Sequence, residues 1–252
     1  MDRKIRVGAV SYLNTKPLIY GFEKGMMEET MTLIIDYPAN IAYKLLNNEI
    51  DLGLVPVAII PQLKNYEIVS DFCISCDGAV ASVCLFSSVP LNEVKTILLD
   101  YQSRTSVALL KILLKEHWKI SPKLLEGSEG YESEITGSTA GLVIGDRAFV
   151  QRLRSGYIYD LGLAWKEMTG NPFVFAAWVS NKQLTPEFMV EFNNANKYGL
   201  TRIEAVISEN PLNVYDLRRY YNDNIKFKPG FDKLEIINQF LKKLEIYNKD
   251  YL

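Results

Sequence analysis

Strand patterns alternate with helix patterns along this sequence, and three of the strand patterns run directly into polar turns that open helices. The three strand–turn pairs are Ile5–Val10 with Ser11–Thr15, Thr96–Leu99 with Gln102–Ser106, and Gly141–Ile144 with Gly145–Asp146. Short apolar strands of this kind are typical of sheets that are buried on both faces. Repeated strand–helix units therefore predict an α/β fold built on parallel sheets.

Two strand-like runs are placed to carry the chain between two lobes. They are Ala79–Phe86 and Phe173–Val179. We therefore expect two α/β lobes with a ligand cleft between them. Lobe one is predicted to comprise residues 1–83 and 180–252, and lobe two is predicted to comprise residues 84–179.

The last quarter of the chain has helical patterns. Apolar residues recur every three or four positions from Phe188 to Val206, which predicts one long amphipathic helix. Two shorter helices are predicted over Asn213–Tyr221 and Phe231–Tyr247, separated by Lys228-Pro229-Gly230.

Composition and charge exclude several classes of protein. Of the 252 residues, 48% are hydrophobic and 23% are charged, which is typical of a globular protein. The formal net charge of -2, without a lysine- or arginine-rich cluster, argues against a nucleic-acid partner. The first apolar run is broken by Arg6, and no segment approaches the roughly 20 apolar residues of a membrane span. We expect a cytoplasmic protein with no membrane partner.

The cysteines and the single histidine make a metal site hard to assemble. Cys73 and Cys76 have C-x-x-C spacing, but no second such pair follows, and His117 is the only histidine. We expect Cys73, Cys76 and Cys84 to be buried reduced thiols. No Gly-x-Gly-x-x-Gly or Walker A sequence occurs, so no nucleotide cofactor is predicted.

The polar turns after the strands are the candidate binding sites. A strand that leads through a short turn into a helix presents backbone N–H groups and a partial positive charge, which favour anions. Ser11 and Thr15 lie in the first such turn, and Ser103, Thr105 and Ser106 lie in the second. A helix N-cap explains one of the three later hydroxyls at about 1 kcal/mol. We expect the three together to bind a ligand.

Two charged residues beside these turns have two interpretations each. Arg104 could bind a carboxylate through paired hydrogen bonds, or it could be an ordinary surface residue. Asp146 could act as an acid or base, or it could simply favour the amino end of a helix. Both alternatives stay open on the residues alone.

Seven segments, in order along the chain, resemble the MqnA family of menaquinone biosynthesis, the chorismate dehydratases of the futalosine pathway. They are Val10–Leu18, Asp51–Val57, Asp77–Val83, Asp100–Ser106, Ile144–Ala148, Leu161–Trp165 and Asn171–Phe173. The first and fourth segments are the specific ones. The resemblance implies a type II periplasmic-binding-protein fold that serves as an enzyme. It also implies loss of water from chorismate to give 3-[(1-carboxyvinyl)oxy]benzoate.

The same resemblance implies roles for individual residues. Asn14 matches the asparagine that the family is thought to use in catalysis, and Pro56, Ser82 and Gly145 lie in matching segments as substrate-binding candidates. The substrate would be a small dianion, and the chemistry requires neither a metal nor a cofactor. An amide such as Asn14 does not titrate, so the base is either the enolpyruvyl carboxylate of the substrate, which we favour, or Asp146.

Two other functions compete with this one. The sister enzyme of the same pathway, MqnD, shares the fold, but its family pattern has a histidine in the stretch that matches Ile144–Asp146, where this chain has Gly145. A non-catalytic protein that binds a small carboxylate is the alternative from a different class. The sequence does not predict the oligomeric state.

Overall fold

The computed structural model describes residues 3–248, which form two five-stranded sheets surrounded by helices. The first sheet consists of β1 (Ile5–Val10), β2 (Met31–Asp36), β3 (Leu52–Pro56), β4 (Glu67–Cys76) and β10 (Phe173–Ser180). Its strand order is β2-β1-β3-β10-β4. β1 pairs in parallel with β2 and β3, whereas β10 is antiparallel to β3.

The second sheet repeats this mixed arrangement. It consists of β5 (Val83–Ser87), β6 (Thr96–Leu99), β7 (Lys123–Glu126), β8 (Thr139–Ile144) and β9 (Tyr157–Asp160). Its strand order is β7-β6-β8-β5-β9. β6 is parallel to β7 and β8, and β5 is antiparallel to β8 and β9. The α/β prediction is confirmed. The predicted parallel pairs are present in both sheets, and each sheet also contains antiparallel pairs, so both sheets are mixed.

The helices follow the strands closely. They are α1 (Lys16–Glu23), α2 (Pro38–Leu46), α3 (Arg104–Glu116), α4 (Asp146–Gln151), α5 (Leu161–Thr169), α6 (Pro186–Leu200), α7 (Ile203–Glu209), α8 (Leu217–Arg219) and α9 (Lys233–Asn248). Short 3₁₀ segments include Leu13–Thr15 and Val57–Gln62, and a π-helical turn spans Tyr220–Asn224. Within residues 3–248 no helix has both the length and the apolar character that crossing a membrane requires.

The described chain divides into two compact units. The first unit comprises the chain up to Ser75 together with Val174–Leu234, and the second comprises Cys76–Phe173 together with the chain from Glu235 onward. The predicted lobes differ from these units mainly at the C-terminus, because the last helix was predicted to belong to lobe one.

Aromatic packing explains why the last helix goes with the second unit. The ring of Phe240 in α9 lies 6.2 Å from that of Trp165 and 5.1 Å from that of Phe173, both edge-on. Lys243 and Tyr247 of the same helix donate hydrogen bonds to the carboxylate of Glu116. Edge-to-face ring contacts add about 1 kcal/mol beyond the burial of area. The periodic pattern of α9 indicates an apolar stripe but does not identify its partner.

Close contact between backbones defines the packing of α1 against α6 in the first unit. A Cβ atom on Gly199 would lie 2.1 Å from the carbonyl oxygen of Pro17, and one on Gly21 would lie 2.4 Å from that of Ala195. Only glycine allows these approaches. The packing fixes α1, and α1 directly follows the polar turn after β1.

Three predicted elements differ from those in the structure. The predicted helix Asn213–Tyr221 is reduced to the short α8, which is followed by the π-helical turn Tyr220–Asn224. The predicted strand Ala79–Phe86 begins only at Val83. The predicted long helix is broken between α6 and α7, where Thr201 donates a hydrogen bond to the carbonyl of Tyr198 and Arg202 covers the Tyr198 ring at 3.6 Å. Side-chain competition for helix carbonyls of this kind bends or ends helices.

Candidate functional site

The turn after β1 folds into the 3₁₀ segment Leu13–Thr15 and leads straight into α1. Ser11 is exposed, and its backbone N–H donates to the carbonyl of Asp36 at 3.2 Å, at the end of the neighbouring strand β2. Asn14 is half-buried, and its Oδ1 accepts a 3.2 Å hydrogen bond from the hydroxyl of the fully buried Thr15. This bond orients the amide so that its NH₂ group points away from Thr15.

Neighbouring side chains hold this turn in place. Pro17 is buried in the first turn of α1, where its missing N–H is not needed. The hydroxyl of Tyr221 donates to the carbonyl of Leu13 at 3.0 Å. Pro56 is buried at the end of β3. Because β1 and β3 run parallel, Pro56 and Asn14 lie at the same edge of the first sheet.

Two of the three hydroxyl residues at the start of α3 form hydrogen bonds with each other. Ser103 is the N-cap, and its Oγ accepts from the backbone N–H of Ser106 at 3.1 Å and donates to the Ser106 hydroxyl at 2.8 Å. Ser103, Thr105 and Ser106 are buried, while Arg104 is exposed. Helix capping thus involves one of the three hydroxyls, that of Ser103, and the Ser106 hydroxyl accepts a hydrogen bond from it. The ligand-binding role of the cluster and of Arg104 stays a prediction.

The turn after β8 depends on a glycine. Gly145 has φ 63° and ψ −147°, a conformation that strains residues with a side chain, and its N–H donates to the carbonyl of Ser82 at 2.8 Å. Ser82 is fully buried, and Asp146 is half-buried in the first turn of α4. The structure therefore brings Ser82 and Gly145 together, although they lie far apart in the sequence.

An ion pair between a buried carboxylate and a half-buried guanidinium joins the turn before α3 to the first turn of α4, and it was not predicted from the sequence. Arg147 Nη2 donates to Asp100 Oδ2 at 2.6 Å and to Gln102 Oε1 at 3.1 Å. The Asp100 side chain is completely buried, and Tyr131 also donates to it at 2.9 Å. Burial raises the pKa of Asp100 despite the attraction of Arg147. Arg147 Nη1 is paired with Glu132 at 2.6 Å.

The sequence indicates that Asp100 and Arg147 each lie near a binding turn, but it does not indicate that they pair. Asp100 directly follows a predicted strand, and Arg147 directly follows Asp146, so each residue adjoins a predicted binding turn. A charged residue at the end of a buried strand needs a partner. One sequence does not identify that partner across a sequence separation of 47 positions.

The predicted site residues are distributed over both units. Those in the first unit are Ser11, Asn14, Thr15 and Pro56, and those in the second are Ser82, Ser103, Arg104, Thr105, Ser106, Gly145 and Asp146. Within each unit they lie at the end of a strand, in the turn or first helical turn that follows a strand, or in the loop that precedes β5. That both groups bind one substrate stays a prediction.

The cysteines are buried in the two units. Cys73, Cys76 and Cys84 are free thiols, as predicted, and burial raises the pKa of Cys73 to about 11. Among residues 3–248, no group of three or more histidine, cysteine, aspartate or glutamate side chains could hold a metal ion.

Comparison with known proteins identifies the family. The sequence model of a family described as menaquinone biosynthesis matches residues 5–245. The chain belongs to this family. A chorismate dehydratase of Thermus thermophilus is 29% identical over 222 residues, which are 79% of each chain. A chorismate dehydratase of Campylobacter jejuni is 26% identical over 96% of this chain and 98% of its own.

The fold is shared with periplasmic binding proteins. The aliphatic sulphonate binding protein SsuA of Escherichia coli superimposes with a TM-score of 0.63 and 13% identity, over all of this chain and 94% of that chain. Identity this low shows the fold alone. The type II periplasmic-binding-protein fold expected from the sequence is thereby confirmed.

Proposed function

We propose that the protein is a chorismate dehydratase, a hydro-lyase that converts chorismate to 3-[(1-carboxyvinyl)oxy]benzoate and water in the futalosine pathway. The observation that carries this proposal is the family match over residues 5–245. Two relatives with this activity in their names, at 29% and 26% identity, support it. The substrate, a small dianion, and the cytoplasmic location predicted from the sequence belong to the same proposal.

Only local positive groups, and not the net charge of the protein, can attract a dianionic substrate. The net charge of -2 does not steer an anion toward the protein. Helix amino ends attract anions locally, and both Asn14 and Ser103 lie at helix starts. Arg104 is exposed at the first position of α3, where a guanidinium can meet a carboxylate through two hydrogen bonds.

The reaction removes a proton and a hydroxyl from the ring, which becomes aromatic. Asn14 does not titrate, so its role in the proposal is to hydrogen-bond the hydroxyl or a carboxylate through the NH₂ group that points away from Thr15. The proposed base is the enolpyruvyl carboxylate of chorismate. Asp146 is the alternative base on the protein, since it is half-buried and stands directly beside Gly145.

Gly145 distinguishes this enzyme from its sister in the pathway. The family pattern of MqnD has a histidine in the stretch that matches Ile144–Asp146. Here the position has φ 63°, which a residue with a side chain adopts only under strain, and it is filled by glycine. The MqnD-type reaction is therefore the weaker candidate.

Non-catalytic binding of a small anion is the second candidate. The similarity to the sulphonate binding protein is compatible with it, because that protein has the same fold. Fold alone does not separate a binder from an enzyme.

One assay separates the two functions. The purified full-length protein is incubated with chorismate, and the aromatic product is followed by mass spectrometry and by ultraviolet absorbance. We expect accumulation of 3-[(1-carboxyvinyl)oxy]benzoate at a rate proportional to the protein concentration. Recovery of unchanged chorismate from a folded sample would reject the dehydratase, and saturable chorismate binding in that sample would support the binding protein.

A further inference from the structure

The loop Ala79–Ser82 contains a strained residue beside a predicted substrate contact. Ala81 has φ 65°, in the left-handed region that alanine rarely adopts. Ser82 follows directly, is fully buried, and accepts the hydrogen bond from Gly145 at 2.8 Å. Strained backbone of this kind persists only where its surroundings hold it, and it is concentrated at functional sites.

Charged side chains hold Ala81 by both its amide and its carbonyl. Asp160 Oδ2 accepts from the N–H of Ala81 at 2.7 Å, and Asp160 Oδ1 accepts from that of Val80 at 3.0 Å. Arg152 Nη1 donates to the carbonyl of Ala81 at 3.0 Å. Hydrogen bonds to charged groups are worth about twice those between neutral groups, so these contacts suffice to offset the strain.

Asp160 holds a helix with the same carboxylate. It is the N-cap of α5, and its Oδ1 accepts from the N–H groups of Gly162 and Leu163 at 3.0 and 3.1 Å. A Cβ atom on Gly162 would lie 2.7 Å from the carbonyl oxygen of Gly78, so the start of α5 packs directly on the segment that leads into the loop. An ordinary N-cap needs only the helix amides. The two further bonds to Val80 and Ala81 require another explanation.

We propose that Asp160 is a positioning residue for substrate binding, which fixes the loop Ala79–Ser82 and, through the Ser82 carbonyl, the Gly145 turn. This assignment rests on the proposed function, because it concerns how Ser82 and Gly145 meet chorismate. Asp160 acts through the loop, and no contact of Asp160 with substrate is part of the assignment.

Substitution with asparagine separates the two roles of Asp160. The side chain introduced by Asp160→Asn keeps an oxygen for the amides of α5, and asparagine caps helices as well as aspartate does. The NH₂ group of the asparagine takes the place of Oδ2, which accepts from the N–H of Ala81. Because NH₂ is a donor, it cannot accept this hydrogen bond and repels the N–H. Asp160→Ser is the second variant, since serine also caps helices but is too short to reach the loop.

The matched control is Asp216→Asn. Asp216 is the N-cap of α8 and accepts from the N–H groups of Arg218 and Arg219, so it has the same capping chemistry without a bond to this loop. The measurements on full-length wild type and variants are kcat and KM with chorismate, and hydrogen exchange of the peptide that covers the loop.

A split between the kinetic constants is the expected result. For Asp160→Asn and Asp160→Ser we expect KM to rise about tenfold, because the loop and the Gly145 turn are displaced from their positions for binding substrate. We expect kcat to change less than about threefold, because the fraction of folded enzyme stays the same. Exchange in the loop should accelerate, and Asp216→Asn should match wild type in both respects. A purely structural role would lower kcat through loss of folded enzyme and leave KM unchanged.

Three other outcomes would reject the positioning role of Asp160, and they can be told apart. Wild-type KM in both Asp160 variants, with active wild type, would overturn this inference and leave the proposed function intact. Failure of both variants to fold, with Asp216→Asn intact, would show that Asp160 is structural. Absence of turnover by the wild type would overturn the proposed function and this inference together.

Discussion

The hydroxyl of Tyr221 donates a 3.0 Å hydrogen bond to the backbone carbonyl of Leu13, 208 positions earlier in the chain. Tyr221 is only 3% exposed and belongs to the π-helical turn Tyr220–Asn224. Asn14 is the residue after Leu13, so the C-terminal part of the first unit fixes the turn that carries the proposed catalytic amide. π-Helical turns are rare and are frequently found at functional sites.

Replacing Tyr221 by phenylalanine should therefore affect both stability and turnover. The change removes one of the donors to the Leu13 carbonyl, at a cost of about 1 kcal/mol in the free energy of unfolding. We expect kcat to fall about three- to tenfold, because the turn of Asn14 gains freedom. Urea unfolding and the product assay measure the two effects.

Tyr215→Phe is the control for that change. The Tyr215 hydroxyl donates to Asn224 at 3.2 Å, so this bond lies in the same region but ends on the π-helical turn and not on the turn of Asn14. A stability loss of about 1 kcal/mol with kcat near wild type is expected for it. An equal fall in kcat for both variants would contradict a specific role of Tyr221.

Gly199→Ala should be among the most damaging substitutions in the first unit. The new Cβ atom would lie 2.1 Å from the Pro17 carbonyl oxygen, a backbone atom that moves only if α1 moves. Overpacking of this severity costs about 2–3 kcal/mol, and the shift of α1 should also disturb Asn14 and lower kcat. Thermal unfolding and the product assay test this.

Gly156→Ala is the matched control for Gly199→Ala. Apart from Gly156 itself and its two chain neighbours, no residue has an atom within 4 Å of the Cβ position at Gly156, so alanine fits there without a clash. Its unfolding temperature should be equal to or slightly above that of wild type. If Gly199→Ala is equally stable, the close approach of α1 and α6 is not a feature of the protein in solution.

Much of the strand and helix pattern could be predicted because it is local. The runs Ile5–Val10 and Thr96–Leu99 are strands with the predicted bounds, since a short apolar run between polar turns favours one local structure. The α3 helix begins at Arg104 because Ser103 is a good N-cap, and a cap is also a local signal.

The loop Ala79–Ser82 could not be predicted because its structure is set by a distant residue. Its sequence is apolar enough for a strand, but Asp160 takes the amides of Val80 and Ala81, which a strand would pair with a neighbour. The cluster of Asp100 with Arg147 is similar: each residue is visible at a turn, but the pairing is tertiary. Candidate residues can be identified from the sequence, whereas the side chains that position them cannot.

The carboxylate of Asp51 should make stability depend on pH. Arg6 donates to it by its backbone N–H at 2.8 Å and by its guanidinium, and these bonds hold the pKa of Asp51 at about 2, below its usual 3.8, against the opposing effect of burial. A lowered pKa in the folded state stabilises the protein above the unfolded pKa, and this contribution is lost as pH falls through about 2.

Asp51→Asn should therefore lower the free energy of unfolding by about 2 kcal/mol at neutral pH. The difference from wild type should shrink below about pH 4, where the unfolded carboxyl begins to bind a proton. Urea unfolding of both proteins over this pH range measures it. A difference that stays constant down to about pH 2 would show that the charge of Asp51 is not responsible.

Asp71→Asn is the control for Asp51→Asn. Asp71 pairs with Lys228 at 3.1 Å, but the two side chains are 57% and 64% exposed. Exposed pairs contribute less than about 1 kcal/mol, so this variant should remain close to wild type at every pH.

Asp146→Asn decides which group takes the proton in the proposed reaction. We expect kcat to stay within about threefold of wild type, because the substrate's own carboxylate is the proposed base and asparagine keeps the size of the side chain. If Asp146 were the base, the loss of a titrating group would lower kcat by a factor of about 10²–10⁴.

Glu187→Gln is the control, since it also removes a negative charge from the first turn of a helix, α6. It should cost a similar amount of stability, about 0.5 kcal/mol. Near-complete loss of turnover in a folded Asp146→Asn protein, with Glu187→Gln fully active, would assign the base to Asp146, because the shared effect on the helix dipole would then be excluded as the cause.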